Sequence, residues 1–300
     1  MPDKPSHKDY HEPVMLREVM DALRIIPGGT YVDVTFGGGG HSKAILSQLN
    51  DQGKLIAFDQ DEDAWKNAVD DPGFILVKEN FRHLQRFLKL HNMIPVDGIF
   101  ADLGVSSHQF DTAGRGFSMQ QNALLDMRMD RRQSLTAKDI LRKYDPAALQ
   151  AIFEQYGEIT NARTLAQRIV EARESFPVET VGELAVIAGA VSKGNPRRYL
   201  AQVFQALRIE VNDEMNVLRE LLEQSVSALK TGGRLAVITF HSLEDRIVKE
   251  CMKNEKQFDA LYKKPVTPSL EEIKRNPRSR SAKLRAAEKI FDVRGLISDL

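Results

Sequence analysis

The sequence predicts an α/β fold, a doubly wound parallel sheet interrupted by an all-helical insertion. Over the first hundred residues short apolar runs alternate with helical periodicity. From about Asp111 to Gln205 only helical periodicity is present, and an apolar, β-branched run then returns at 234–240. Parallel strands need long, usually helical crossovers, so strict alternation points to a parallel sheet. Four strands are few for such a sheet, which places the missing ones beyond the insertion. The expected division is a core of residues 1–110 and 206–300 with a helical block, 111–205, inserted into it.

In chain order, strands are expected at 31–36, 54–59, 74–77 and 96–103, with helices near 41–49, 62–68 and 81–90 between them. Inside the insertion, helical periodicity covers 137–141, 147–156, 160–175, 181–190 and 199–207. A crossover helix at 212–229 then leads through a Lys230-Thr231-Gly232-Gly233 turn to the strand at 234–240. A final strand is expected at 284–290.

The run Tyr31-Val32-Asp33-Val34-Thr35-Phe36-Gly37-Gly38-Gly39-Gly40-His41-Ser42 carries the first functional signal. A strand enters four glycines and then a helix, which lets backbone approach a ligand closely and presents free N–H groups. Asp59 ends the second strand, where a carboxylate can accept both hydroxyls of a ribose. This pairing fits a nicotinamide dinucleotide or S-adenosylmethionine, and a glycine loop without any ligand is the third reading. In open α/β sheets ligands lie beyond the carboxyl ends of the strands. Gly37 to His41, Asp59, Asn80, Phe81, Asp102 and His241 are therefore the candidate positions.

The chain has 42 basic and 42 acidic residues, so no overall field announces a nucleic acid. Two local groups do: Lys274, Arg275, Arg278, Arg280, Lys283, Arg285 and Lys289 against Glu288 alone, and Lys193, Arg197 and Arg198 around a Gly-Asn-Pro turn. Either could follow a phosphate backbone, or be a solvated loop. A single cysteine, Cys251, precludes an internal disulfide and suits a reducing cytoplasm. No apolar run approaches the ~20 residues of a membrane span, so a soluble cytoplasmic protein is expected. No metal site is expected: only His7 and His11 have helix-like spacing, and they lie in a Pro-bounded tail. Nucleophile elbows and phosphate-binding lysine loops are absent from the sequence.

Taken together, His11-Glu12-Pro13-Val14-Met15-Leu16, Thr35 to Ser42, Asp102-Leu103-Gly104-Val105-Ser106-Ser107, Arg115-Gly116-Phe117-Ser118, Leu125-Asp126-Met127-Arg128-Met129-Asp130, Phe204-Gln205-Ala206-Leu207-Arg208-Ile209 and Phe240-His241-Ser242-Leu243-Glu244-Asp245-Arg246 resemble the bacterial RsmH (MraW) family. The resemblance runs from about His11 to Lys289. It implies a Rossmann-like class I methyltransferase sheet with an inserted helical domain that binds the RNA substrate. It also implies S-adenosylmethionine as cofactor, and transfer of its methyl group to N4 of a decoding-centre cytidine in 16S ribosomal RNA of the small subunit. By motif, the cofactor contacts would be Gly39, Gly40, His41, Asp59, Phe81, Asp102 and Gln109. Two departures stand out: His108 where the family usually has proline, and Asn122-Ala123-Leu124 in place of Asp-Gly-Pro.

The N4 amine of cytosine has its lone pair delocalised into the ring, so an acceptor for one of its protons would help to localise it. Asp102 is the catalytic candidate by position, and the resemblance also gives it a cofactor hydrogen bond.

Overall fold

The computed structural model describes residues 13–291; His7, His11 and Glu12, named above, lie outside them. A seven-stranded sheet forms from β1 (Thr30–Asp33), β2 (Lys54–Phe58), β3 (Phe74–Val77), β4 (Val96–Asp102), β5 (Leu229–Thr239), β6 (Phe258–Ala260) and β7 (Lys283–Lys289), in the order β3-β2-β1-β4-β5-β7-β6. The strands β1 to β5 run parallel, whereas β7 is antiparallel to both β5 and β6. Strand order reverses between β1 and β4, so their carboxyl ends open the crevice where such sheets bind ligands. Both faces are covered: Val32, Ile56, Ile99 and Val237 pack on one side, Tyr31, Leu55, Phe100 and Ile238 on the other. Each fully buried aliphatic side chain of this kind stabilises the fold by roughly 1.5–3 kcal/mol. Among the described residues, no helix is long and apolar enough to cross a membrane.

Two compact units are distinguished, one of residues 1–104 with 218–300, whose described part holds the sheet, and one of 105–217. The sequence places the helical block at 111–205. The second unit is wider because Val105 and Phe110 pack against its core and the helix Pro196–Asn212 keeps Leu207 and Val211 in it. Asn122, one of the departures from the family pattern, accepts the backbone N–H of Gly182 at 2.9 Å and so ties the preceding loop to the start of the helix Val181–Val191.

The Lys230-Thr231-Gly232-Gly233 turn lies within β5 as a break in register. Val96 pairs with Leu229 and Gly98 with Arg234, so the residues between are looped out, with Gly232 at φ +80°. Regular pairing resumes at Arg234, where the sequence starts the strand. Neither the three-residue β6 nor the helices Leu16–Leu23, Ser242–Asn254 and Leu270–Arg275 are among the elements expected from the sequence.

The larger basic run turns out to be partly structural, a correction to its reading as an open phosphate track. Lys289 is fully buried and donates to the carbonyl of Leu229 at 2.8 Å. Arg285 donates to Asp245 at 2.7 Å, and Lys283 to the same carboxylate at 3.3 Å. Burial alone would raise the Asp245 carboxyl, but the bonds from Arg285 and Lys283 hold it below its ordinary value. Charge alternation along an antiparallel strand reads the same whether a cation faces solvent or a partner helix, which is why the sequence did not separate the two. We predict that Arg285→Ala leaves Asp245 without its main partner and lowers unfolding free energy in urea by about 2–4 kcal/mol. An unchanged midpoint would show that solvent replaces the pair.

Candidate active site

At the end of β1, Asp33 is buried and holds both ends of the glycine loop: the backbone N–H of Thr35 donates to it at 3.0 Å, and the Ser42 hydroxyl at 2.7 Å. Between them Gly37 and Gly39 adopt φ +51° and +76°, a left-handed conformation that costs other residues roughly 1–2 kcal/mol. A Cβ on Gly39 would stand 2.9 Å from the Phe36 ring, and one on Gly40 2.3 Å from Pro13. These two glycines thus meet requirements of their own chain, in addition to the ligand approach inferred from sequence.

Asp59 follows β2 and closes the other side of the loop. Its carboxylate accepts the backbone N–H groups of Gly37 at 2.7 Å and Asp61 at 2.8 Å, leaving each oxygen a further lone pair. Burial, with Asp61 and Asp33 nearby, pushes this carboxyl up to about 7. Beyond β3, the Asn80 side chain donates to Gln60 at 2.8 Å, and the half-buried Phe81 packs against the sheet core.

His41 is buried, its ring centroid 4.5 Å from that of Phe100. Its Nε2 lies 2.9 Å from the Val14 carbonyl, which can only accept, so Nε2 carries the proton and Nδ1 a lone pair. Burial lowers this imidazole to about 4, so it is neutral near pH 7. Nδ1 faces Asp102 Oδ2 at 3.9 Å, too far for a hydrogen bond. Asp102 ends β4, its backbone N–H fixed by Thr35 Oγ1 at 2.7 Å. Its side chain is a quarter exposed, yet Oδ1 is buried without a hydrogen-bond partner. Burial, then the charges of Asp33 and Glu244, push this carboxyl up to about 8.

Glu244 lies in the first turn of the helix Ser242–Asn254 and is buried; it accepts the backbone N–H groups of Phe240 and His241. His241 is the cap of that helix, which gives it a structural role. Gln109 belongs to the second unit. There its side chain accepts from Ser106 N–H at 2.9 Å and closes a capping box on the short helix Ser107–Asp111. His108 is exposed on the first turn of the same helix, a position where proline and other residues are tolerated alike. The first unit thus assembles Gly39, Gly40, His41, Asp59, Phe81 and Asp102 at the carboxyl edge of its sheet. Sequence reasoning passed over Asp33 and Glu244. An acid inside the apolar run Val32-Asp33-Val34 and a Glu three residues after the cap His241 are the signals that could have found them.

This edge is lined by Asp33, Asp59, Asp102 and Glu244. A dinucleotide would bring a pyrophosphate dianion into that field, whereas S-adenosylmethionine brings a sulfonium and an ammonium. The unpartnered Asp102 Oδ1 and the paired oxygens of Asp59 suit the second ligand and oppose the first. Fold and site together define a Rossmann-like, S-adenosylmethionine-dependent methyltransferase.

The model of the MraW methylase family matches residues 8–290. A ribosomal RNA small subunit methyltransferase H of Bacteroides fragilis is 51% identical over 95% of this chain and 99% of its own length. Its counterpart in Flavobacterium psychrophilum is 52% identical over 92% and 100%. Among solved structures, a putative rRNA-methylase from Clostridium thermocellum covers 93% of this chain and 98% of its own at 13% identity and a TM-score of 0.47, a likeness too distant to add to the family match. The chain belongs to the MraW methylase family.

The raised carboxyls set a pH dependence. In the ligand-free protein Asp59 and Asp102 bind protons more tightly than in the unfolded chain, so their ionisation weakens the fold as pH rises from the ordinary carboxylate range through 7 to 8. A cation favours the ionised form. We predict that affinity for S-adenosylmethionine rises as pH increases from about 6 to 8.5, with proton release seen in calorimetry across buffers of different ionisation enthalpy. Asp102→Asn should flatten the dependence; an equally steep profile in that variant would remove Asp102 from the linkage.

Proposed function

We propose that this protein transfers a methyl group to N4 of a decoding-centre cytidine in 16S ribosomal RNA of the small subunit, acting in the cytoplasm. The observation that carries the reading is Asp102, a partly buried carboxyl whose Oδ1 is buried without a hydrogen-bond partner at the strand-order reversal. Support for the substrate comes from relatives named as small-subunit methyltransferases and from the motifs shared with that family. On the helical unit, Lys193, Arg197 and Arg198 are exposed and enter no ion pair among the described residues, which suits an RNA-binding role for this unit.

When bound, S-adenosylmethionine supplies an electrophilic methyl group on a sulfonium. The chain's residues do the rest. Asp59 would accept the ribose hydroxyls and Phe81 would flank the adenine, while Gly39 and Gly40 with neutral His41 would shape the loop for the amino-acid end. Asp102, with its unpartnered Oδ1 at the strand-order reversal, would accept the proton that the N4 amine loses on taking up the methyl group, while the sulfonium would leave as a neutral sulfide. Positioning of the two reactants accounts for much of the rate. The target base must leave its stack, which favours an unpaired or distorted RNA site.

Mass spectrometry of 16S ribosomal RNA with and without the gene tests the assignment; no change at any N4-methylcytidine would refute it. We predict that Asp102→Asn lowers single-turnover methyl transfer at saturating cofactor by ~10²–10⁴-fold while cofactor affinity changes far less. A normal rate would reduce Asp102 to a cofactor contact. Asp59→Ala, in contrast, should weaken S-adenosylmethionine binding about ten- to hundred-fold by removing charge-assisted hydrogen bonds. Calorimetry on the folded variant showing wild-type affinity would displace the ribose from Asp59.

A further inference from the structure

The helical unit contains a pocket of about 170 Å³, open on one side and lined by Phe110, Phe117, Met127, Phe204, Gln205 and Arg208. An apolar cavity of roughly 150 Å³ is enough to admit a benzene ring. Four of the segments that carry the family resemblance converge here. Val105 comes from the segment after β4, Phe117 from Arg115–Ser118, Met127 from Leu125–Asp130, and Phe204, Gln205 and Arg208 from Phe204–Ile209. None of these lining residues is taken up by the cofactor site.

The walls are aromatic and apolar, and the polar groups are few and oriented. Arg208 is held by Glu214 through bonds of 2.8 and 3.0 Å, so its charge is neutralised inside the unit. Gln205 donates its Nε2 to the Tyr156 carbonyl at 2.8 Å, which fixes the amide's orientation and leaves Oε1 as an acceptor. An acceptor among aromatic rings recognises a flat, π-bearing group that presents N–H donors at its edge.

We propose that this pocket receives an unstacked nucleobase of the RNA substrate, one carrying an exocyclic amine, stacked against Phe117 and Phe204 with the amine donating to Gln205 Oε1. The inference rests on the RNA-methylating reading above. Stacking on aromatic rings provides affinity that any base can exploit, and the amide oxygen supplies the preference for the amine-bearing bases cytosine, adenine and guanine over uracil.

Ala201 lies at the exposed rim, on the helix Pro196–Asn212, where a larger residue enters the pocket without leaving a cavity in the core. Small ribosomal subunits from a strain lacking the gene are irradiated at short wavelength with the full-length protein, and cross-linked peptides are mapped. The expected cross-links fall on Phe117 or Phe204, and Ala201→Phe abolishes them and weakens subunit binding about ten- to hundred-fold with S-adenosylmethionine affinity unchanged. Cross-links elsewhere, together with wild-type subunit affinity in Ala201→Phe, overturn the proposal. Neither readout needs turnover, so failure of the wild-type protein to form N4-methylcytidine counts against the methylation reading alone.

Discussion

Carboxyl groups crowd the carboxyl edge of the sheet, and much of the site follows from how the chain tolerates them. Asp33 serves as an acceptor for Ser42 and Thr35, and its charge is one reason that Asp59 and Asp102 keep their protons to unusually high pH. Ionising these acids together strains the ligand-free fold, since buried like charges are costly without a counter-ion. Their presence makes sense when a cation completes the site. The same field turns away a pyrophosphate, so the choice of cofactor class is made by charge more than by the shape of the glycine loop.

That loop is held from both sides by acids with backbone partners. Asp33 ties its start to the helix behind it, and Asp59 binds Gly37 from the neighbouring strand. The bond from Gly37 to Asp59 crosses from the end of β1 to the end of β2, so parallel register between them (Asp33 opposite Ala57) is what puts Asp59 within reach. Because Gly39 and Gly40 also relieve contacts with Phe36 and Pro13, a substitution there disturbs the loop before any ligand arrives. Fold stability and ligand shape are not separable at those two positions.

Periodicity made the first four strands legible, as well as the long helices, because apolar runs and 3.6-residue repeats report burial directly. β3 runs from Phe74 to Val77 as expected, while β5 takes in the glycine pair that the sequence reads as a turn, since turn residues also serve a register break. β6 was not legible: three residues with only Phe258 buried give no pattern. The glycine loop, Asp59 and Asp102 were visible in the sequence because strand ends mark the binding edge in this fold. Their partners were not, since Asp33 and Glu244 act through burial and long-range charge that spacing does not encode. Gln109 illustrates the same limit, its capping bond to Ser106 being a local role that the motif alone did not reveal.

The two roles given to Asp102 in the proposed reaction support one another. While a positive charge lies beside it, its carboxylate is stabilised as the anion and can hold that charge in place. Once the methyl group has moved, the sulfonium is a neutral sulfide and its charge has passed to the methylated base, while burial with Asp33 and Glu244 favours the protonated acid that takes up the N4 proton. The rise in proton affinity therefore coincides with the moment at which the N4 amine must lose a proton. Neutral His41, whose proton is committed to Val14, neither competes for that proton nor screens the carboxylate. An aspartate with an ordinary carboxyl pKa would bind the cation equally well but would have no driving force to take the proton at neutral pH. On this argument the burial that penalises the empty site is the same physical property that times the proton transfer.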